Sequence, residues 1–306
     1  MTSFLFAMII AGTPLLFATL GEMLTEKSGN LNLGVEGMML IGAVAGFGMG
    51  FYTGNGLLAI AGAAVAGALG ALIYAFLTVS LRANQVVSGL ALTIFGTGIS
   101  SFVGTLFIGQ KMPDKVIDSF VRVKIPLLGD LPFIGPILFR HDYFVYIGYL
   151  MAICLGVYFY KTRFGLNLIA ISENPSAADA SGIHVNLYKY IHILLGGALC
   201  GMAGAYLSVV DVPQWQDNIT AGRGWIAIAL VIFVKWNPIM ALFGAYLFGG
   251  LSIIGFRLQH LSISQNLLDV LPYAVTIIVL ILSSIRKSKE DAPPKGLGVP
   301  YFREDR

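Results

Sequence analysis

Charge is scarce in this sequence. Only 11% of its 306 residues are Asp, Glu, Lys or Arg, against about 25% in an ordinary soluble chain. Hydrophobic residues make up 57%, and mean hydropathy is +0.80. That balance excludes a water-soluble globular enzyme and indicates an integral membrane protein. The net charge of +3 is small and its carriers are dispersed, so no nucleic-acid partner is expected. Cysteine is nearly absent too. Cys154 and Cys200 both sit in apolar runs with no C-x-x-C or Cys/His cluster, and they read as packing residues, not as a disulfide or metal site. The chain has no G-x-x-x-x-G-K-[ST], H-E-x-x-H or G-x-S-x-G, and His141, His184, His192 and His260 lack ligand spacing. Nucleotide hydrolysis and metallopeptidase or serine-hydrolase chemistry are therefore not expected. His192, near the start of a span, reads as hydrogen-bonded within a bundle. The apolar runs contain almost no carboxylates, whereas intramembrane enzymes carry acidic pairs or metal ligands in the bilayer. Neither catalysis nor a bound cofactor or metal is expected of this chain.

What is abundant is apolar length. A membrane span needs about 20 apolar residues, and runs that meet or approach this are Phe4–Leu20, Leu33–Phe51, Leu57–Leu81, Val86–Ile108, Tyr143–Tyr160, Leu187–Val210, Met240–Ile254 and Leu267–Ile285. Phe4–Leu20 has no preceding Lys or Arg and reads as a first span, not a cleaved leader. Trp225–Val234 is shorter, stops at Lys235-Trp236-Asn237-Pro238, and reads as a half-span or one arm of a hairpin. Lipid offers the backbone no partners, so all of these should be helical. The fold class is thus all-α, a polytopic bundle of about nine segments with a broken or half-length helix. The membrane domain covers residues 1–285, with an inner loop 161–186 and an outer loop 110–142, and a cytoplasmic tail follows at 286–306.

Lys and Arg placement puts the tail inside. Then 12 of the 19 basic residues face inward, the tail supplying half of those. Arg223 and Arg257 fall on the outer side in this reading. The loop 110–142, with Pro113, Pro126, Pro132 and Pro136, reads as a short structured outer lid. Gly197 and Gly201 form a G-x-x-x-G pair, and Gly62, Gly67, Gly70, Gly244, Gly249 and Gly250 mark other spans; small residues let helix backbones approach closely.

Between two apolar segments lies the polar interval Thr162–Ile183. Ser172 or Asn174 suits an N-cap, Pro175 the first helical position and Gly182 the left-handed residue after the last turn. That predicts a helix of about two turns, with Ala177, Ala178 and Ala180 giving it a low profile and Glu173 and Asp179 available to a partner's cations. A solvated connecting loop is the alternative. Three further polar stretches stand out: Gly21–Gly37, Arg82–Gln85, and Asp211–Trp225 with Trp236-Asn237-Pro238. Glycine-bearing polar backbone at a span boundary is how transporters break helices around a gate or solute; an ordinary inner loop with Glu36 at a helix N-terminus is the alternative for the first stretch. Trp215, Trp225 and Trp236 read first as interfacial anchors.

Taken in order, several blocks carry a resemblance. They are Ala11-Gly12-Thr13-Pro14 with Gly21-Glu22, then Gly29–Leu40, Asn84–Gly89, Ala170–Pro175 with Gly182-Ile183, Gly222–Ala227, Trp236–Pro238 and Leu297–Tyr301. Together they resemble permease subunits of ATP-binding-cassette importers of the ribose and branched-chain amino acid class, closest to the nucleoside importers associated with basic membrane proteins. The likeness covers essentially the whole chain. It implies a non-catalytic permease in a bacterial cell membrane, with ATP and magnesium bound by a separate ATPase subunit. Its coupling helix would be Asn174–Ser181, and the ATPase-coupling residues Glu173, Asn174, Pro175, Ala177, Ala178 and Gly182. It also implies a second, related permease in a heterodimer and an extracytoplasmic substrate-binding lipoprotein docked on the outer face. A nucleoside is the implied solute, a simple sugar such as ribose the alternative. Asn30, Asn32, Gln85 and Asn237 are the expected substrate-pathway residues, since neutral amides bond hydroxyls and base edges without burying charge. An ion-coupled secondary transporter would need mid-bilayer acids, and the only plausible ones, Glu22, Glu36 and Asp269, all lie near predicted span ends.

Overall fold

The computed structural model describes residues 2–258, 270–271, 274–278, 281 and 293–302. The chain enters the bundle with α1 (Thr2–Glu26), turns, and returns as α2 (Val35–Thr53). Helix α3 (Gly56–Ala75), prolonged by a π-turn over Phe76–Ser80, and α4 (Gln85–Gly104) make the next pair. The outer loop holds α5 (Asp114–Asp118), β1 (Val123–Lys124), α6 (Ile134–Leu138) and β2 (Arg140–His141), the two strands pairing antiparallel. The loop is thus structured. Then come α7 (Tyr143–Lys161), α8 (Arg163–Glu173), α9 (Pro175–Ala180), α10 (Val185–Ala205, prolonged by a π-turn over Tyr206–Asp211), α11 (Arg223–Phe233) and α12 (Pro238–Leu258).

Among the described residues six helices are long and apolar enough to cross a membrane, and α11 and α12 contribute shorter apolar stretches. Eight of the expected nine segments are thus seen. The ninth, Leu267–Ile285, falls largely outside the described residues, as do His260, Asp269, the side chain of Arg257 and tail positions 286–292 and 303–306.

Helices α1, α2, α3 and α10 pack at the centre, with α12 along α1 and α4 along α2. Glycine makes the central crossings possible. A Cβ on Gly42 would strike the backbone of Gly201, one on Gly201 the carbonyl of Ala63, and one on Gly197 the side chain of Ala71. The G-x-x-x-G pair therefore marks a tight crossing in the bundle. Substituting Gly201→Val should lower the thermal unfolding midpoint of the detergent-solubilised protein, because overpacking costs about 1–3 kcal/mol or more. Gly98→Ala, where an added Cβ meets nothing within 4 Å, should leave the midpoint unchanged.

Contacts divide the loops between two faces. The amide of Gly296 donates to the Ser172 carbonyl at 2.8 Å and that of Gly298 to the Gly29 carbonyl at 3.3 Å. The Arg82 guanidinium lies 4.5 Å from the centre of the Phe302 ring. The α1–α2 turn, the α3–α4 turn, α8–α9 and residues 293–302 therefore share one face, the inner one on the charge argument. At the opposite face the outer loop meets the end of α10, where Met112 N donates to the Pro213 carbonyl at 3.0 Å.

Helix α11 is the half-length element. After α10 the chain turns back into the bundle without helix, through left-handed residues Asn218, Ala221 and Gly222, and α11 begins only at Arg223. Arg223 is half-buried at this start. Its Nη1 donates to the carbonyls of Ile219 and Thr220 at 3.1 and 3.3 Å, which no charge count could foresee.

Candidate functional site

On the face that the charge argument makes the inner one, a short capped rod projects from the bundle. Thr162 Oγ1 accepts from Gly165 N at 3.1 Å and starts α8. Its buried residues, Gly165, Leu168, Ile171 and Ser172, fall three or four apart and form the stripe that seats it. This amphipathic helix was not foreseen: the sequence indicates only the two turns that follow. Those two turns are α9, where Asn174 Oδ1 accepts from Ala177 N at 3.0 Å, Pro175 opens the helix and Gly182 adopts φ +84°. Ser172, the other cap candidate, is already inside α8.

Glu173, Asn174, Ala177 and Gly182 are exposed on this rod and Pro175 is half-buried. Ala178 is not available to a partner. It is 4% exposed and packs with Ile171, Val185, Ile183, Tyr188 and Tyr301. Its small side chain lets α9 lie close to its own protein, which corrects the expectation that all three alanines face outward. Burial pushes the Lys27 ammonium below its ordinary range, and the nearby Glu173 and Glu26 act in the opposite sense. The exposed acid of the rod thus faces a cation of the α1–α2 turn.

Behind the rod, the turn itself folds into the bundle as a knot of polar groups. Helix α1 does not stop at Leu20 but continues to Glu26, placing Glu22 and Glu26 at 0% and 1% exposure. The Glu22 carboxylate accepts from Asn32 N and Nδ2 at 3.2 and 3.3 Å, and Asn32 Oδ1 accepts from Gly34 N at 2.8 Å. Gln85 Oε1 accepts from Leu31 N at 2.7 Å, Tyr74 Oη donates to the Leu31 carbonyl at 2.6 Å, and Asn30 Nδ2 donates to Thr78 Oγ1 at 3.4 Å. Three of the four expected pathway amides are therefore brought together. The fourth, Asn237, stands apart: its Oδ1 accepts from Ile239 N and Met240 N and caps α12. Within the knot, Asn30 Oδ1 and Gln85 Nε2 have no hydrogen-bond partner among the described residues, one acceptor and one donor held in a buried place.

A second cluster fixes the start of α11. Glu36 Oε1 accepts from Thr220 Oγ1 at 2.5 Å and Gly222 N at 2.9 Å, and Oε2 accepts from Gly224 N at 2.6 Å. A carboxylate at a helix N-terminus meets both the free amides and the positive end of the helix dipole. At the other end of α11, Trp236 Nε1 donates to Glu26 Oε2. Two buried acids thus hold the half-helix at its two ends.

Several of these roles escaped the sequence. Glu22, Glu26 and Glu36 read as loop or span-end acids, yet all three are enclosed. Trp215 and Trp236 are 4% and 3% exposed and act as core residues, against the expectation of interfacial anchors. Trp225, at 38% exposure, remains consistent with one. His192 has the structural role expected of it, its ring nitrogens 2.7 Å from Tyr158 Oη and from the Tyr188 carbonyl. Among the described residues no group of His, Cys, Asp and Glu is placed to hold a metal ion.

Residues 4–280 match the family described as branched-chain amino acid transport system / permease component. The chain is 37% identical to a Haloferax volcanii protein provisionally named as a glucose ABC transporter permease, over 97% of each chain. It is 35% identical to a guanosine ABC transporter permease of Bacillus subtilis, over 98% of this chain and 96% of that one. With a nucleoside ABC transporter permease of Lactococcus lactis the figure is 34%, over 97% and 95%. A second guanosine permease of B. subtilis matches at 24%, over 89% of this chain and 78% of its own length. Among solved structures, an inward-facing ABC transporter, provisionally of metal-chelate type, aligns with a TM-score of 0.52 at 14% identity, covering 92% of this chain and 85% of that one.

Proposed function

Because the chain belongs to the branched-chain amino acid transport system permease family, we propose that it is the membrane subunit of an ATP-driven importer whose solute is a nucleoside. It works beside a separate ATPase, which binds ATP and magnesium, and a second permease. An extracytoplasmic receptor delivers the solute. The observation that carries this reading is the rod α8–α9, capped at Asn174 and presenting Glu173, Asn174 and Ala177 on the inner face. A permease without a nucleotide site needs such a stiff element, because a docked motor can bias the bundle between outward-open and inward-open states only through a contact that does not yield.

Two full-length relatives named for nucleosides support the solute class. So does the polar knot, where Asn30 Oδ1 and Gln85 Nε2 offer one acceptor and one donor without a partner; neutral amides suit hydroxyls and base edges. The two distinct guanosine permeases of B. subtilis that both match this chain favour a heterodimer. The provisional glucose assignment of the Haloferax relative supports a second reading, a hexose importer.

Uptake separates the two solutes. The chain, produced with its genomic neighbours for ATPase, sister permease and receptor, should import radiolabelled guanosine in an ATP-dependent manner, and unlabelled glucose in excess should not compete. ATP-dependent uptake of radiolabelled glucose with no guanosine uptake would move the assignment to a hexose. Uptake that survives loss of the ATPase would remove the importer reading altogether.

A further inference from the structure

We propose that residues 293–302 form a strap that carries displacement of α9 to the α1–α2 turn, with Tyr301 and Phe302 as positioning residues for transport. This rests on the reading of α9 as the element that docks the ATPase. The strap is joined to the rod twice. Gly296 N donates to the Ser172 carbonyl at 2.8 Å, at the end of α8, and Tyr301 packs in the small cluster that seats Ala178 of α9. It is joined to the polar knot at two further points. Gly298 N donates to the Gly29 carbonyl at 3.3 Å. Phe302 lies under Arg82, three residues before Gln85, whose Oε1 holds Leu31 N. Between these ends Leu297 packs against the main core.

The geometry points to transmission and not to mere covering. Apart from the strap, α9 packs on α8 and α10, while the knot is built on α1, α3 and α4. The strap touches both groups within one short run of chain. Two of its links use backbone amides, which pull along the chain whatever the side chains do. Gly296 has little latitude, since a Cβ there would stand 2.9 Å from the Ser172 carbonyl oxygen. Beside the strap, Arg82, Asp179, His184, Asn186 and Tyr301 line an open cavity of about 370 Å³, which gives α9 and the strap room to shift together.

The test reads the knot directly and needs no knowledge of the solute. In the assembled transporter, with Cys154 and Cys200 replaced by Ala, a Leu31→Cys substitution reports how fast a thiol reagent reaches the turn, with nucleotide absent and with ATP trapped by vanadate. The labelling rate should differ between the two states by roughly tenfold, within the usual range of coupling between sites. Tyr301→Ala and Gly296→Pro should abolish that difference while the ATPase stays bound and ATP hydrolysis continues. Tyr301→Phe should restore it. If Tyr301→Ala does not accumulate, Phe302→Ala decides, because Phe302 is exposed and its loss leaves the core untouched. An ATP-dependent change that persists in these variants would overturn the strap, as would no change at residue 31 in the intact strap. The docking reading fails separately: Ala178→Pro would then leave the ATPase bound and the labelling difference intact, whereas loss of the difference in Ala178→Pro alone would reject only the strap.

Discussion

Transport should fall by about a hundredfold when Ala178 is replaced by proline, with membrane insertion unchanged. Proline inside a helix removes a hydrogen bond and clashes with the carbonyl four residues back, costing ~3 kcal/mol or more, which converts to about two decades in an equilibrium. Here the lost bond is Ala178 N to the Asn174 carbonyl, 3.1 Å, the same residue whose side chain caps the helix. Milder substitutions should rank below it. Asn174→Ala removes only the cap to Ala177 N, about 1 kcal/mol. Gly182→Ala places a Cβ on a residue at φ +84° with nothing within 4 Å of it, so it meets only the backbone strain of a left-handed residue, about 1–2 kcal/mol. Uptake per unit of inserted protein, measured for all three, should be lowest for Ala178→Pro, then Gly182→Ala, then Asn174→Ala. Equal uptake for Ala178→Pro and the parent would show that α9 is not the lever.

The second large effect concerns stability. Glu36→Leu should lower the detergent unfolding midpoint steeply, because Thr220 Oγ1, Gly222 N and Gly224 N would lose their acceptor inside the bundle. Unsatisfied buried groups cost about 1–3 kcal/mol each. Glu36→Gln, which keeps one acceptor oxygen, should fall between Leu and the parent. The same junction can be broken from the other side without touching a charge. A Cβ on Gly224 would lie 2.5 Å from both N and Cα of Glu36, so Gly224→Ala should reproduce most of the loss. If Gly224→Ala is neutral, the close seating of α11 on α2 is not what holds the half-helix.

The parts of this molecule that were legible in its sequence are those set by local chemistry. Asn174, Pro175 and Gly182 bracket α9 because caps act within a few residues. Gly197 and Gly201 announce a close crossing because only glycine allows it. Lys235-Trp236-Asn237-Pro238 marks the end of the half-helix because proline follows a cap, and Asn237 does cap α12. The illegible parts are pairings between distant residues. Glu36 meets Thr220 and Gly224, and Glu26 meets Trp236. Nothing in the neighbourhood of any of these residues signals its partner. For the same reason α1 looked shorter than it is. Hydropathy ends it near Leu20, yet its last turns are shielded by protein instead of lipid and can carry Glu22 and Glu26. Helix α8 was hidden by Arg163 and Glu173 at its two ends, which made an amphipathic helix look like loop.

The strap has a consequence for how the protein is made. Gly298 reaches back to Gly29, so a residue synthesised among the first must wait for one near the other end of the chain before the inner face is closed. Helices α1 to α12 all precede the strap in synthesis, so they are made before the clasp over the first turn. A bulky fusion placed just after Phe302 would therefore act on the opening loop of the protein, far away in sequence, sooner than on the helices beside it.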